Sequence, residues 1–276
     1  MPRKIPKFLS EKKPLLFAHR GWSAAFPENT IPAFEAAIEL GIDVIETDVH
    51  LTADNHVVIS HDPTVDRVTN GQGYLAEMRL LEINKLDAGY RFEKPSNDYP
   101  FRGRGIMIPT LAECFELFPT SKFNIDLKAR NPGLVQEIWN LVEEYSAHHR
   151  VLIGSFHHKN LVLFRKLARG TVATSASKRE MTIWGYAQKL GLTRLIHQPV
   201  DVYQIPTRYG PHDLTRPGLL AAAHRAGIAV HYWTVDDEHE MKRLLNLGAD
   251  GIMSNHPDRL IQVFNQWKSR KVTQTL

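Results

Sequence analysis

Two acidic side chains alternate with apolar ones in the segment 44–49, which reads VIETDV. If this segment is a strand, Glu46 and Asp48 share one of its faces. Strands of a parallel sheet are covered on both faces, so a solvated acidic face is difficult to accommodate. Two carboxylates confined together repel each other unless a proton or a cation lies between them. The pattern therefore favours a hard divalent cation with oxygen ligands, Mg²⁺ or Ca²⁺.

A further acid lies in the segment 124–128, which reads NIDLK. Alternation places Asp126 and Lys128 on one face of the predicted strand. Asp126 is a candidate third ligand of the cation, and Lys128 is a candidate contact for an anion of phosphate size. A structural ion pair between the two side chains explains the same spacing equally well.

A histidine next to a charged residue closes two other apolar runs, as His19-Arg20 and as His61-Asp62. Histidine is the side chain that most often transfers protons in catalysis. Two histidines near three acids and an arginine therefore indicate a catalytic site. The sequence contains no GxSxG, P-loop, HExxH or Rossmann motif, so the common signatures of other enzyme classes are missing.

The elements that must position these residues are eight short apolar runs alternating with eight segments of helical spacing. The predicted strands are 15–19, 43–49, 122–128, 151–156, 171–175, 200–205, 229–235 and 251–254. The predicted helices are 33–40, 111–118, 133–145, 160–168, 179–190, 217–226, 238–247 and 257–267. Gly41, Gly227 and Gly248 each follow a helix, as expected of glycine at a helix C-terminus. The alternation predicts an α/β fold, a TIM (β/α)₈ barrel, with a doubly wound open sheet as the alternative.

One connection is much longer than the others, because residues 51–109 separate the second strand from the next helix. A connection of this kind usually has about 2–6 residues. The run 57–60 inside it predicts an extra strand. We expect this insertion to be a small lid subdomain over the C-terminal mouth of the barrel, where such enzymes keep their active sites.

The charge of the chain is concentrated at its ends. The 276 residues carry a net charge of +4, yet residues 1–13 contain five basic residues against one acid and residues 268–276 contain three basic residues. The predicted domain, 14–267, is therefore slightly acidic, which argues against a nucleic-acid-binding face. The two basic tails are either solvated ends or weak contacts for an anionic membrane.

Composition also bounds the class of protein. The single cysteine, Cys114, excludes a disulfide framework and any CxxC site, and its apolar surroundings place it in the core. The chain lacks an apolar signal segment and a run of about 20 apolar residues, so we expect a cytoplasmic protein. The oligomeric state is left open.

Four sequence blocks, in order and spacing, resemble the glycerophosphodiester phosphodiesterase family. They are AHRG at 18–21, PENT at 27–30, ETDV at 46–49, and HD at 61–62 followed by Arg67, Thr69 and Gly71. Weaker matches are SF at 155–156, WTV at 233–235 and GADGI at 248–252. The resemblance covers roughly residues 14–265.

The resemblance implies a TIM barrel with an insertion after the second strand, and metal-dependent hydrolysis of glycerophosphodiesters to sn-glycerol 3-phosphate and an alcohol. By position, it implies metal ligands at Glu46 and Asp48 and a general acid/base pair at His19 and His61. The residues that it places near the substrate or its phosphate are Arg20, Lys128 and Trp233. Glu28, Asn29 and Asp62 are candidates for support of the metal shell. Asn29 or Thr30 is also expected to cap the first helix.

The chain departs from the family pattern at two places. Asp126 stands where the family usually has Glu, and Asn255 stands in SNHP, 254–257, where the family usually has Thr-Asp before a Pro. The related sphingomyelinase D barrels resemble this chain in having Asp at the third metal position. Cleavage of lysophospholipid head groups is therefore the alternative activity. A non-catalytic barrel that binds phosphodiesters or membranes is the second alternative.

Overall fold

The computed structural model describes residues 6–10, 14–193, 196 and 198–275. The strands in this part of the chain are β1 Leu15–His19, β2 Val44–Leu51, β3 Val57–Ile59, β4 Lys122–Leu127, β5 Val151–Gly154, β6 Ala173–Thr174, β7 Val202–Ile205, β8 Arg208–Tyr209, β9 His212–Asp213, β10 Ala229–Tyr232 and β11 Gly251–Ser254. The main sheet has the parallel order β6-β5-β4-β2-β1-β11-β10-β7. A bridge between Ser175 and Val202 joins its two ends. The predicted barrel is confirmed, and the alternative prediction of a doubly wound open sheet is wrong.

The helices are α1 Lys7–Ser10, α2 Ile31–Glu39, α3 Leu80–Ile83, α4 Leu111–Leu117, α5 Pro132–Glu144, α6 His158–Ala168, α7 Lys178–Lys189, α8 Pro217–Arg225, α9 Glu238–Leu247 and α10 Pro257–Thr275. Gly41, Gly227 and Gly248 adopt φ values of 87°, 71° and 90°, which confirms their predicted place at helix ends. Cys114 is buried in α4, as expected. None of the helices within the described ranges is long and apolar enough to cross a membrane.

The last helix differs from its predicted bounds. We expected it to end at residue 267, but α10 continues to Thr275. Most of the predicted C-terminal tail is therefore helical. Its cations Lys268, Arg270 and Lys271 are exposed along that helix.

The N-terminal segment is not wholly a solvated tail. Phe8 and Leu9 in α1 are 1% and 4% exposed, respectively. They join a core cluster with residues from the first halves of the barrel strands, among them Leu15, Val44 and Ala229. The short helix α1 therefore closes the floor of the barrel, opposite the mouth. Most of the predicted N-terminal charge falls on residues 1–5 and 11–13, which lie outside the described residues.

Phe8→Ala should lower the free energy of unfolding by about 3 kcal/mol, the usual cost of removing a buried aromatic side chain. The measurement is urea unfolding followed by circular dichroism. The matched control is Leu117→Ala at a side chain 56% exposed, which should cost less than about 0.5 kcal/mol. Equal stabilities of the two variants would show that α1 does not close the barrel floor.

The long insertion has its own order. β3 pairs antiparallel with β2, with Ile59 opposite Val49 and Val57 opposite Leu51, so the predicted extra strand is confirmed. The rest of the insertion packs around a separate small core. Its members are Val58, Val65, Leu75, Ile83, Ala88, Ile106 and Ile108. This core holds His61, just after β3, beside the ends of the barrel strands.

Candidate active site

Strand register brings the predicted acids together. In the parallel pairs, His19 of β1 lies opposite Glu46 of β2, Glu46 lies opposite Asn124 of β4, and Asp48 lies opposite Asp126. Alternation turns these side chains to the barrel interior, whereas their neighbours in sequence pack against the helices. The three acids and one histidine therefore meet at the C-terminal mouth of the barrel.

An open pocket of about 220 Å³ lies at this mouth. Its lining includes every residue that the sequence assigned to the metal, the phosphate, the substrate or proton transfer. These residues are His19, Arg20, Glu46, Asp48, His61, Asp126, Lys128 and Trp233. The pocket is thus polar on the side of β1, β2 and β4.

The turn after β1 aims Arg20 into the pocket. Gly21 has φ 77°, and a Cβ atom there would lie 2.7 Å from the backbone of Ala33 in α2, so only glycine fits this close approach. The Arg20 amide donates to Glu46 Oε2 at 3.1 Å, and Arg20 Nε lies 3.3 Å from Asp48 Oδ2. The guanidinium therefore lies directly beside the acidic cluster.

Lys128 follows β4 and bridges two of the acids. Its Nζ lies 2.8 Å from Asp48 Oδ1 and 2.7 Å from Asp126 Oδ2. Burial lowers the pKa of Lys128, but the two carboxylates outweigh burial, and the net shift is upward. The ion pair between Asp126 and Lys128 is therefore present, and it extends to Asp48. Lys128 stays charged at neutral pH.

The three acids are not electrostatically equal. Burial, reinforced by the charge of Asp48, raises the pKa of Glu46 well above its usual range. Burial also raises the pKa of Asp126, although Lys128 opposes the shift. For Asp48, burial is outweighed by Lys128 and Arg20, so its pKa is lowered. Glu46 is therefore the acid whose negative charge the neighbouring cations compensate least.

The donor set fits a divalent cation in its chemistry. Carboxylate oxygens are the preferred ligands of Mg²⁺ and Ca²⁺, and a cation near Glu46 and Asp126 would oppose the rise of both pKa values. Across residues 6–10, 14–193, 196 and 198–275, no three Asp, Glu, His or Cys side chains form a preformed metal site. Lys128 accounts for part of this, because it occupies oxygens of both Asp48 and Asp126.

The two histidines are held by different partners. His19 Nδ1 lies 2.7 Å from Asn255 Oδ1, and its Nε2 lies 3.8 Å from Glu46 Oε2. Burial, together with the charge of Arg20, lowers the pKa of His19, so its ring is neutral at pH 7. His61 Nδ1 lies 2.6 Å from Asp62 Oδ1. In both rings the partner at Nδ1 leaves Nε2 available for proton transfer.

Glu28 and Asp62 connect the insertion to the first barrel turn through Arg67. Arg67 donates to both oxygens of Glu28 at 2.9 and 2.7 Å, and also to Asp62. Glu28 in turn accepts from Arg20 at 3.0 Å. Hydrogen bonds from Arg67 and Arg20 lower the pKa of Glu28 against the effect of burial. Both acids therefore orient the cationic and histidine side chains of the pocket.

Asn29 contacts the acidic cluster and does not cap the first helix. Its Nδ2 donates to Asp48 Oδ2 at 3.0 Å, and its Oδ1 accepts from Thr47 at 2.8 Å. A left-handed backbone at φ 58° turns Asn29 towards β2. Thr30 occupies the N-cap position, but its hydroxyl donates to the carbonyl of Pro27 at 2.6 Å. The expected side-chain cap on α2 is therefore wrong.

Sequence reasoning missed several polar residues of the pocket. Asn124 and Gln204 line it, and Gln204 donates to Asn124 Oδ1 at 3.0 Å across the barrel. Each is a polar residue with an apolar neighbour on either side in its strand, and this alternation could have identified both. Phe156 adds an apolar wall: it is 55% exposed and packs edge-on against Trp233 at 6.1 Å between ring centroids.

Both the sequence and the fold of this chain are similar to those of known proteins. The model of the glycerophosphoryl diester phosphodiesterase family matches residues 19–259. A glycerophosphodiester phosphodiesterase of Caldanaerobacter subterraneus is 36% identical over 258 residues, which cover 91% of this chain and 98% of that protein. A lysophospholipase D of Homo sapiens is 28% identical over 283 residues, covering 94% and 87%. The structure of an Oleispira antarctica phosphodiesterase in complex with the product sn-glycerol-3-phosphate is 26% identical, with a TM-score of 0.72 and coverage of 92% and 97%.

Proposed function

This chain belongs to the glycerophosphoryl diester phosphodiesterase family, and from that premise we propose that it hydrolyses glycerophosphodiesters to sn-glycerol 3-phosphate and an alcohol in a metal-dependent reaction. The observation that carries the proposal is the meeting of three carboxylates, two cations and His19 at one pocket. The phosphodiesterase of known structure that holds sn-glycerol-3-phosphate supports the product. Because relatives at this level of identity are named as enzymes, they favour a catalytic barrel over a non-catalytic one.

The charges of the site support a phosphodiester as the ligand. Three carboxylates and a phosphodiester carry four negative charges together. One divalent cation, Arg20 and Lys128 would balance them. A neutral assembly avoids the large free-energy cost of burying net charge.

Glu46, Asp48 and Asp126 would hold the cation. When bound, a divalent cation supplies Lewis-acid polarisation of a phosphoryl oxygen. Arg20 and Lys128 contribute fixed positive charge for the negative charge that develops on the phosphoryl oxygens. Asn29 and Lys128 keep Asp48 oriented through their contacts with its two oxygens.

His19 and His61 would transfer the protons. The Nε2 atom of one ring accepts the proton of the attacking hydroxyl, and that of the other donates a proton to the leaving oxygen. The attacker is either water or the 2-hydroxyl of the substrate's own glycerol, which would give a cyclic phosphate. The two routes differ in whether a cyclic phosphate accumulates early in the reaction.

The test is release of sn-glycerol 3-phosphate, measured with a coupled assay on choline, ethanolamine and inositol diesters. Lysophospholipids form a separate arm, because the relative named lysophospholipase D and the exposed Phe156 beside Trp233 favour head-group cleavage as a second candidate. Release from the soluble diesters supports the main proposal. Activity confined to lysophospholipids would replace it with the second candidate.

We predict that chelation abolishes hydrolysis and that added Mg²⁺ or Ca²⁺ restores it. Asp126→Ala should raise the metal concentration for half-maximal activity by roughly tenfold or more. A tenfold increase corresponds to a loss of about 1.4 kcal/mol in the free energy of metal binding. Asp126→Glu should stay active, since it keeps the carboxylate. The measurement is a metal titration of activity, with Asp98→Ala in the exposed part of the insertion as the control. An Asp126→Ala titration that superimposes on the parent curve would move the third ligand elsewhere.

A further inference from the structure

Asn255 lies between His19 and Asp236, an acid that the sequence analysis did not assign to the site. It follows β11, and its Oδ1 lies 2.7 Å from His19 Nδ1. Its Nδ2 lies 2.7 Å from Asp236 Oδ2. The Ser23 hydroxyl lies 3.0 Å from the same Oδ1 and 2.8 Å from the backbone carbonyl oxygen of His19. The amide of Asn255 is therefore held at both ends.

The hydrogen bonds decide which way this amide points. Asp236 Oδ1 accepts from the Ser254 hydroxyl at 2.9 Å and from the backbone N–H of Asn255 at 2.8 Å. An ionised carboxylate only accepts hydrogen bonds, so the Asn255 atom facing Asp236 Oδ2 must be the NH₂ group. The atom facing His19 must then be the carbonyl oxygen.

An oxygen at this place determines the tautomer of His19. Because Asn255 Oδ1 only accepts, His19 Nδ1 must carry the proton in the neutral ring. The lone pair of Nε2 then faces the pocket and Glu46. We infer that Asn255 and Asp236 are positioning residues that hold His19 in its Nδ1–H tautomer with Nε2 ready to accept a proton. The catalytic part of this inference rests on the proposed function, whereas the tautomer does not.

The hydrogen-bond pattern predicts that exchanging the acid and the amide between positions 236 and 255 restores the network. In the double variant Asn255→Asp/Asp236→Asn, the new amide at position 236 keeps an oxygen for Ser254 and for the backbone N–H of residue 255. Its nitrogen donates to the new carboxylate at position 255, which still accepts from His19 Nδ1. Exchange of acid and amide therefore preserves each hydrogen bond.

Each single variant breaks the network. In Asp236→Asn, the backbone N–H of residue 255 retains the amide oxygen, so the new NH₂ group faces Asn255. Asn255 must then turn its oxygen towards position 236 and its NH₂ group towards His19, which favours the Nε2–H tautomer. In Asn255→Asp, two carboxylates face each other across about the present 2.7 Å and repel.

The test is ¹⁵N NMR of ring-labelled histidine at pH 8, where an imidazole is neutral, with His19 assigned by its absence in His19→Gln. We expect Nδ1–H in the parent and the double variant, and Nε2–H in Asp236→Asn. On the best diester substrate, kcat should fall at least about tenfold in each single variant and recover to within about threefold in the double variant. Thermal unfolding verifies that each variant is folded.

The outcomes separate the two proposals. Nδ1–H in Asp236→Asn, or a double variant as impaired as the single ones, would overturn the positioning role. A parent that releases sn-glycerol 3-phosphate from none of the diesters would overturn the proposed function alone. The NMR result would then still decide the tautomer.

Discussion

Replacing His19 or His61 with alanine lowers kcat by roughly 10²–10⁴, the usual range for the loss of a general acid or base. Both rings line the pocket and both are oriented through Nδ1, by Asn255 and by Asp62. Alanine keeps the backbone and removes the proton-transfer atom. The measurement is steady-state kinetics of sn-glycerol 3-phosphate release.

The double variant should lose less than the product of the two single losses, because groups that act together are not additive. His239→Ala in exposed α9 is the matched control and should leave kcat unchanged. A fall of less than about threefold in either single variant would remove that histidine from proton transfer.

The barrel and the acidic cluster were predictable because both produce local patterns. Glu46, Asp48 and Asp126 alternate with residues that face the helices, so their side chains point into the barrel. The predicted strand and helix bounds lie within two residues of the observed ones, apart from the C-terminal ends of β10 and α10. Local periodicity is sufficient for these features.

Other features depend on contacts between distant parts of the chain. Asn255 meets His19 only because β11 pairs with β1 and completes the barrel. Arg67 and Glu28 meet only because the insertion folds back over the first turn. Neither pairing leaves a periodic signal in the sequence.

The floor of the barrel was hidden for a different reason. Phe8 and Leu9 are two consecutive apolar residues inside a basic segment, and the composition of that segment favours a solvated tail. Their burial depends on apolar residues of several barrel strands, which come together only in the folded chain. Deleting the N-terminus to test membrane contact would therefore also remove core contacts, so charge-neutralising substitutions are the better test of the tails.

The geometry of the site specifies the contacts of Lys128, which the sequence left open. Lys128 was predicted either as a phosphate contact or as the structural partner of Asp126. Its Nζ lies within 2.8 Å of oxygens from two of the three proposed ligands. A cation there compensates carboxylate charge and at the same time opposes the entry of a second cation.

Lys128→Met should therefore separate metal binding from catalysis. Without the ammonium, the carboxylates of Asp48 and Asp126 attract a divalent cation more strongly, and we expect Mg²⁺ to bind roughly tenfold tighter, about 1.4 kcal/mol. Catalysis should worsen, with kcat falling roughly 10²–10³ because a positive group at the phosphate is lost.

Isothermal titration calorimetry with Mg²⁺ measures the first effect, and kinetics at saturating metal measures the second. Lys166→Met on the exposed face of α6 also removes one positive charge and is the matched control. If Lys128 only supported the fold around Asp126, its removal would disorder that ligand and weaken the metal. Weaker Mg²⁺ binding in a folded Lys128→Met would thus contradict the phosphate role, whereas tighter binding with lost turnover follows only if Lys128 is the charge that a bound phosphodiester meets.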